Sequence, residues 1–285
     1  MDTLTATDNY ASLLLSLPNL PPATVLSLFF LTLGRIIPLM VLIPFFGARN
    51  LPMVIRMMFG LSLVAIFLPQ NLMVAKGVLP YGLPFIFLMV KELIMGAVLG
   101  ILGSVPFYIA QMAGSLIDHQ RGSSALQVTD PTTQTQTGSI GLLYNYVLIA
   151  IFFSLNGPFL FLDGVANSYQ LIPVDSWINT QFFSLHLPFW KQIFGLLQMM
   201  MTLCIQFSAP ALIGILLTDM FLGIANRLAP QVQIVFLGIS LKSWVGIALM
   251  TAAWGLVIKV MGKEAISWIK WMNQAIQQIG TFYGS

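Results

Sequence analysis

The side chains able to do chemistry gather at two places in this sequence. One is Asp118-His119, set among Gly114, Ser115, Gln120, Arg121 and Gly122. A carboxylate beside an imidazole can work as acid and base. In a stretch rich in glycine and serine, a solvated or hydrogen-bonded pair is the plainer reading. The other is Lys91-Glu92, opposite charges adjacent in a long apolar block and roughly 12 Å from its start at Leu83. Neighbouring residues on a helix point about 100° apart, so these two face each other poorly and each needs a further partner. An unpaired charge at mid-bilayer costs about 2.5–3.5 kcal/mol. Snorkelling or an internal pair would relieve that cost, as would a partner subunit or a wet pore, and the last two are the expectation.

The remaining repertoire argues against catalysis. His119 and His186 are the two histidines, too far apart for the spacing that puts two metal ligands on one helix face. There is neither a Gly-Lys-Ser/Thr phosphate loop nor a dinucleotide glycine fingerprint. The single cysteine, Cys204, can form no intrachain disulfide or thiolate cluster. Met199-Met200-Met201 points all round a helix, which suits packing better than a seal. No catalytic residue, metal or cofactor is expected. A net charge of +3 from 12 basic and 9 acidic residues is too dispersed to bind nucleic acid.

The elements that carry these residues are helices in a membrane. With 58% hydrophobic and 7% charged residues, against about a quarter charged in globular chains, the chain reads as an all-α polytopic membrane protein. Apolar blocks at 23–46, 52–68, 83–110, 140–162, 188–217 and 232–260 allow six spans of about 20 residues. The segment 1–22 has no basic residue and reads as a mature tail or interfacial segment rather than a signal peptide. Loop lysines and arginines do not decide the topology. Arg35, Pro38 and Pro44 predict a kinked or broken first helix. Lys242 divides the last block, so that Ser243 to Ile258 reads as the continuous helix and the part before it as a short helix, a turn and a re-entrant segment. Residues 111–139 read as a polar central loop, and 140–187 as a helix with a connecting loop. Residues 262–285 form an amphipathic helix with Ala265, Trp268, Ile269, Met272, Ile276 and Ile279 on one side. That side would lie on lipid, anchored by Trp268 and Trp271, or dock against a partner.

Two motifs carry a family resemblance. Gln111 to Pro131, with its Ala-Gly, Ile117-Asp118-His119-Gln120-Arg121-Gly122 and Asp130-Pro131 elements, resembles the central loop of the FliR/SctT family. The stretches Ala209 to Asp219, Leu222 to Gln231 and Phe236 to Lys242 resemble that family's other recognisable segment. The likeness extends over nearly the whole chain, with wording closer to the injectisome SctT branch. It implies a non-enzymatic core subunit of the type III secretion export apparatus. Such a subunit would sit in the bacterial inner membrane, partly raised toward the periplasm, with SctR- and SctS-like partners and with SctU- and SctV-like components. It would help enclose a closed channel for unfolded proteins.

Residues 23–110 hold the first helical hydrophobic blocks, and the resemblance also implies an SctR-like part followed by an SctS-like helical hairpin over 188–261 with a turn near 226–231. The central loop would be a plug, making Gly114, Asp118, Gln120, Arg121 and Gly122 gating residues; glycines at 114 and 122 would allow its bends. Lys91, Glu92, Asn226, Arg227, Pro230, Gln231 and Lys242 would meet partners or the channel. The alternative is a secondary transporter using Lys91, Glu92 and Asp219 at broken helices, although no internal repeat supports it.

Overall fold

The computed structural model describes residues 21–47, 51–74, 82–122, 138–176, 188–228 and 234–281. Among them are eight α-helices: α1 (Pro22–Leu42), α2 (Met53–Val74), α3 (Leu83–Gln120), α4 (Ser139–Ser154), α5 (Gly157–Leu171), α6 (Pro188–Leu228), α7 (Ile234–Ala252) and α8 (Trp254–Thr281). A 3-10 turn at Pro44–Phe46 follows α1. The expected tail through residue 20, the central residues 123–137, and Pro230 and Gln231 lie outside the described residues. The chain is an all-helical membrane protein. Four helices are long and apolar enough to cross a bilayer, or up to six spans if each of two bent pairs counts as one.

The first bend has a local cause. α4 and α5 meet at 75° across Leu155-Asn156, where Asn156 adopts a left-handed φ of 56° and the Leu155 and Asn156 amides donate to the carbonyls of Ile151 and Phe153. Asparagine tolerates that conformation better than most residues, and such a cap ends a helix. α7 and α8 meet at 64° around Ala253. The break therefore falls inside the stretch expected to be continuous, and Lys242 lies within α7. An ion pair described below satisfies that lysine, so it need not end the helix. α1 likewise runs through Pro38 and stops at Leu42, before Pro44.

The largest departure from expectation concerns the central segment. Residues 111–120 are not loop but the last three turns of α3, a 38-residue helix. Polar residues do not end a helix when their side chains find partners. The stop is Gly122, at φ 83°, with its amide donating to His119 O. Gly114 makes no bend; it lies inside the helix.

Two units divide the chain: residues 1–104, 159–190 and 270–285 in one, 105–158 and 191–269 in the other. In the first, glycines bring α1 and α3 together. A Cβ on Gly96 would run into the Arg35 carbonyl, and one on Gly100 would lie 3.0 Å from Leu42. Phe45 and Phe46 pack against Phe161, with ring centroids 5.5 and 6.1 Å apart. In the second, a Cβ on Gly114 would lie 2.6 Å from Gly141 Cα, so α3 and α4 pack backbone to backbone. The second half of α6 and α7 run antiparallel: Gly246 faces Ile215, Gly214 faces Leu249, and Gly238 faces Leu222.

The stripe of α8 is buried within the protein rather than laid on lipid: Ala265, Trp268, Ile269, Met272 and Ile276 are at most 3% exposed. The amphipathic helix also begins earlier than expected, at Trp254.

Candidate functional site

Three polar centres interrupt the apolar structure. In the first unit, Glu92 on α3 is fully buried and accepts from three donors. Arg35 of α1 binds it through Nε (2.6 Å) and Nη2 (2.9 Å), and Lys91 Nζ lies 2.8 Å from its Oε1. This is the forked geometry that favours arginine with carboxylate. Arg35 also donates to Ser168 Oγ at 3.0 Å and Ile172 O at 2.9 Å, and its guanidinium lies 4.2 Å from the Tyr169 ring centroid. Lys91 also donates to the carbonyls of Pro173 (2.8 Å), Val174 (3.2 Å) and Ser176 (3.0 Å). A long flexible stem lets it reach its neighbour despite the divergence at their Cα atoms.

The expectation that Lys91 and Glu92 lack mates within the chain is therefore corrected. Their mates are Arg35 and the carbonyls after α5, and both side chains are buried within the chain. Close helix approach makes this possible: a Cβ on Gly34 would lie 2.8 Å from Met89 Sδ and 3.4 Å from Glu92 Cβ. Around the cluster, Asn71 donates to Thr32 Oγ1 at 2.8 Å and Tyr169 to Thr32 O at 3.2 Å.

The second centre, in the other unit, is built on Asp118. Its Oδ1 accepts from Arg121 Nη2 (2.6 Å) and Nε (3.0 Å). Its Oδ2 accepts from the amides of Ile140 (2.8 Å) and Gly141 (3.3 Å). Asp118 thus caps the first turn of α4 from another helix, supplying an acceptor for amides that a helix start leaves without partners. A carboxylate there also complements the positive end of the helix dipole. Gly138 precedes α4 because a Cβ there would strike the Asp118 carboxylate. Arg121 reaches on to Ser139 Oγ (3.2 Å) and, more loosely, to Ser243 Oγ of α7 (3.5 Å). Asp118 and Arg121 are buried, while His119 and Gln120 are exposed. The pairing of Asp118 with Arg121, not with His119, leaves the acid–base reading without its geometry.

The third centre is the ion pair of Lys242 with Asp219, across α7 and α6. It is partly exposed, at 25% and 37%, amid outward apolar side chains such as Leu217, Met220 and Phe221. Asn226 and Arg227 are exposed in the last turn of α6, where a cation suits the helix C-terminus.

Sequence reasoning noted Arg35 but not its pairing, and missed Ser139, Ser168 and Ser243. One signal was present: Asp118 and Arg121 stand three apart, the spacing of helical ion pairs, but a segment read as loop hides it. A lone cation in one apolar block and a lone carboxylate in another was the corresponding hint for Arg35 and Glu92.

These features define a multi-pass, all-helical membrane protein whose buried charged side chains are paired within the chain. Residues 26–266 match the family described as "Bacterial export proteins, family 1". The chain belongs to that family, which is the FliR/SctT family of the resemblance. It is 29% identical to the flagellar biosynthetic protein FliR of Bacillus subtilis over 257 residues, covering 88% of this chain and 95% of that protein. It is 34% identical to the secretion system apparatus protein SsaT of Salmonella typhimurium over 158 residues, covering 55% and 58%. Against Yop proteins translocation protein T of Yersinia pestis, identity is 32% over 155 residues, covering 54% and 57%. Flagellar and injectisome branches are both matched.

Proposed function

We propose that this chain is a core subunit of a type III secretion export gate in the bacterial inner membrane. It would assemble with SctR- and SctS-like subunits, next to SctU- and SctV-like components, around a closed channel for unfolded proteins. The observation that carries the reading is the family match from residue 26 to 266. Its support in the structure is the outward apolar surface of α2, α6 and α7, where Met53, Leu197, Leu228 and Trp244 are at least 70% exposed. Such a surface suits lipid and helical partners alike. Asn226, Arg227 and Lys242, with Pro230 and Gln231, are the partner or channel contacts in this reading.

The central segment is the plug. In this reading the residues at its root have distinct tasks: Asp118 and Arg121 fix the end of α3 to the start of α4, Gly114 lets the two helices close, and Gly122 and exposed Gln120 lead into the segment itself. Co-expression with SctR- and SctS-like subunits is expected to yield a defined complex. Replacing residues 124–136 by a short Gly-Ser linker should leave that complex assembled but leaky to ions. Stable monomers that take up a solute alone would favour the transporter and overturn the proposal; a tight membrane after the replacement would remove the plug.

A further inference from the structure

We propose that the outward face of α8 binds the headgroups of anionic phospholipids. Lys259, Lys263 and Lys270 lie within an arc of about 40° on this helix at 100° per residue. All three are exposed, as are Ser267, Gln274 and Gln277 on the same side. The opposite side of the helix is the buried stripe containing Trp268, Ile269 and Met272, so packing fixes which way the lysines look. The only carboxylate in α8, Glu264, lies about 100° round from Lys263 and turns partly inward beside Met261 and Trp268. Among the described residues no carboxylate pairs with any of the three lysines. Among the described residues a face worth three positive charges is thus uncompensated, in a chain whose whole net charge is +3.

Its position along the helix selects the ligand. Leu256, one turn earlier, lies about 20° beyond that arc and is 64% exposed, and the outward residues of α7 before the bend include Trp244 (77%), Ile239 (50%) and Ile247 (41%). The outward surface therefore changes from apolar to basic between Leu256 and Lys259, within one turn. Lysines cannot face hydrocarbon without a penalty, whereas apolar side chains ending where lysines begin is the pattern of a chain leaving the acyl region at the headgroups. The 64° bend at Ala253 turns α8 away from the direction of α7 at that level. Phosphate groups of anionic lipids supply the missing counter-charge.

The test uses the full chain in complex with its co-expressed partners. In a Cys204→Ser background, Ser267→Cys carries an environment-sensitive fluorophore on the lysine face without removing a lysine. Short-chain phosphatidylglycerol is titrated into the detergent-solubilised complex, with phosphatidylcholine as control. The expected result is a saturable response to phosphatidylglycerol alone, weakened by 0.5 M salt through screening. At about 1 kcal/mol per basic residue near an anionic surface, each single Lys→Gln change should weaken binding about 5-fold and the triple change on the order of 100-fold. The triple Lys→Arg variant should bind as the parent does, which separates charge from fold. Equal responses to the two lipids, or a fluorophore shielded only when partner subunits are present and indifferent to lipid, would overturn the proposal.

Discussion

Glu92→Gln removes one charge and almost no volume, and the structure makes it among the most damaging single changes available. Glu92 is the anion for two buried cations, Arg35 at 0% exposure and Lys91 at 6%. Losing one partner of a buried pair costs about 3–5 kcal/mol, because the remaining charge stays desolvated. Here two cations are left in the same pocket, so the upper end of that range is expected. Set against a total stability of about 5–15 kcal/mol, a loss near 5 kcal/mol should lower Tm by roughly 10 °C and deplete the protein in cells. Tryptophan fluorescence during heating of the purified chain in detergent measures the first effect, and immunoblotting the second. A stringent control replaces Arg35, Lys91 and Glu92 together by methionine. Removing the whole network should be less harmful than Glu92→Gln alone, since apolar replacement of buried ion clusters is often neutral. A Tm for Glu92→Gln within about 2 °C of wild type, equivalent to under 1 kcal/mol in a chain of this size, would refute the reasoning.

Three further outcomes are expected. Gly96→Ala and Gly114→Ala should each destabilise by about 1–3 kcal/mol, because the added methyl meets the Arg35 carbonyl or the Gly141 backbone; Gly223→Ala in α6, with nothing within 4 Å, should be neutral or stabilising by up to about 1 kcal/mol, all read by thermal unfolding. Asp118→Ala should cost about 1 kcal/mol for the cap and more for the stranded Arg121, and hydrogen exchange should show it as faster opening of the Ile140 and Gly141 amides. Lys242→Gln should change the stability of the isolated chain by less than about 1 kcal/mol, since its pair with Asp219 is partly solvated. A comparable loss to Glu92→Gln would contradict the ranking of the two ion pairs.

Run length and hydropathy made the helical membrane class legible, because a span needs only enough consecutive apolar residues. Boundaries were harder, since polarity marks a helix end only when no partner satisfies it. Gln111 to Gln120 looked like loop, yet Asp118 and Arg121 satisfy each other, Asp118 caps α4, and the helix stops at a left-handed glycine. Lys242 looked like an interruption for the same reason, until Asp219 was placed opposite it by the α6–α7 register. The stop at Asn156-Gly157-Pro158 was written in residue types that favour turns, but the apolar count on both sides masked it. Pairing of Arg35 with Glu92, 57 positions apart, depends on which helices pack together, which no local pattern encodes. The α8 stripe was visible in its period; that the protein itself covers it was not.

Secretion in the host tests most directly the proposed place of this chain in a protein-export gate. Deleting the coding sequence should abolish export of type III substrates into the medium, measured against intracellular substrate levels, and the wild-type chain supplied in trans should restore it. Undiminished secretion without the chain would contradict the account.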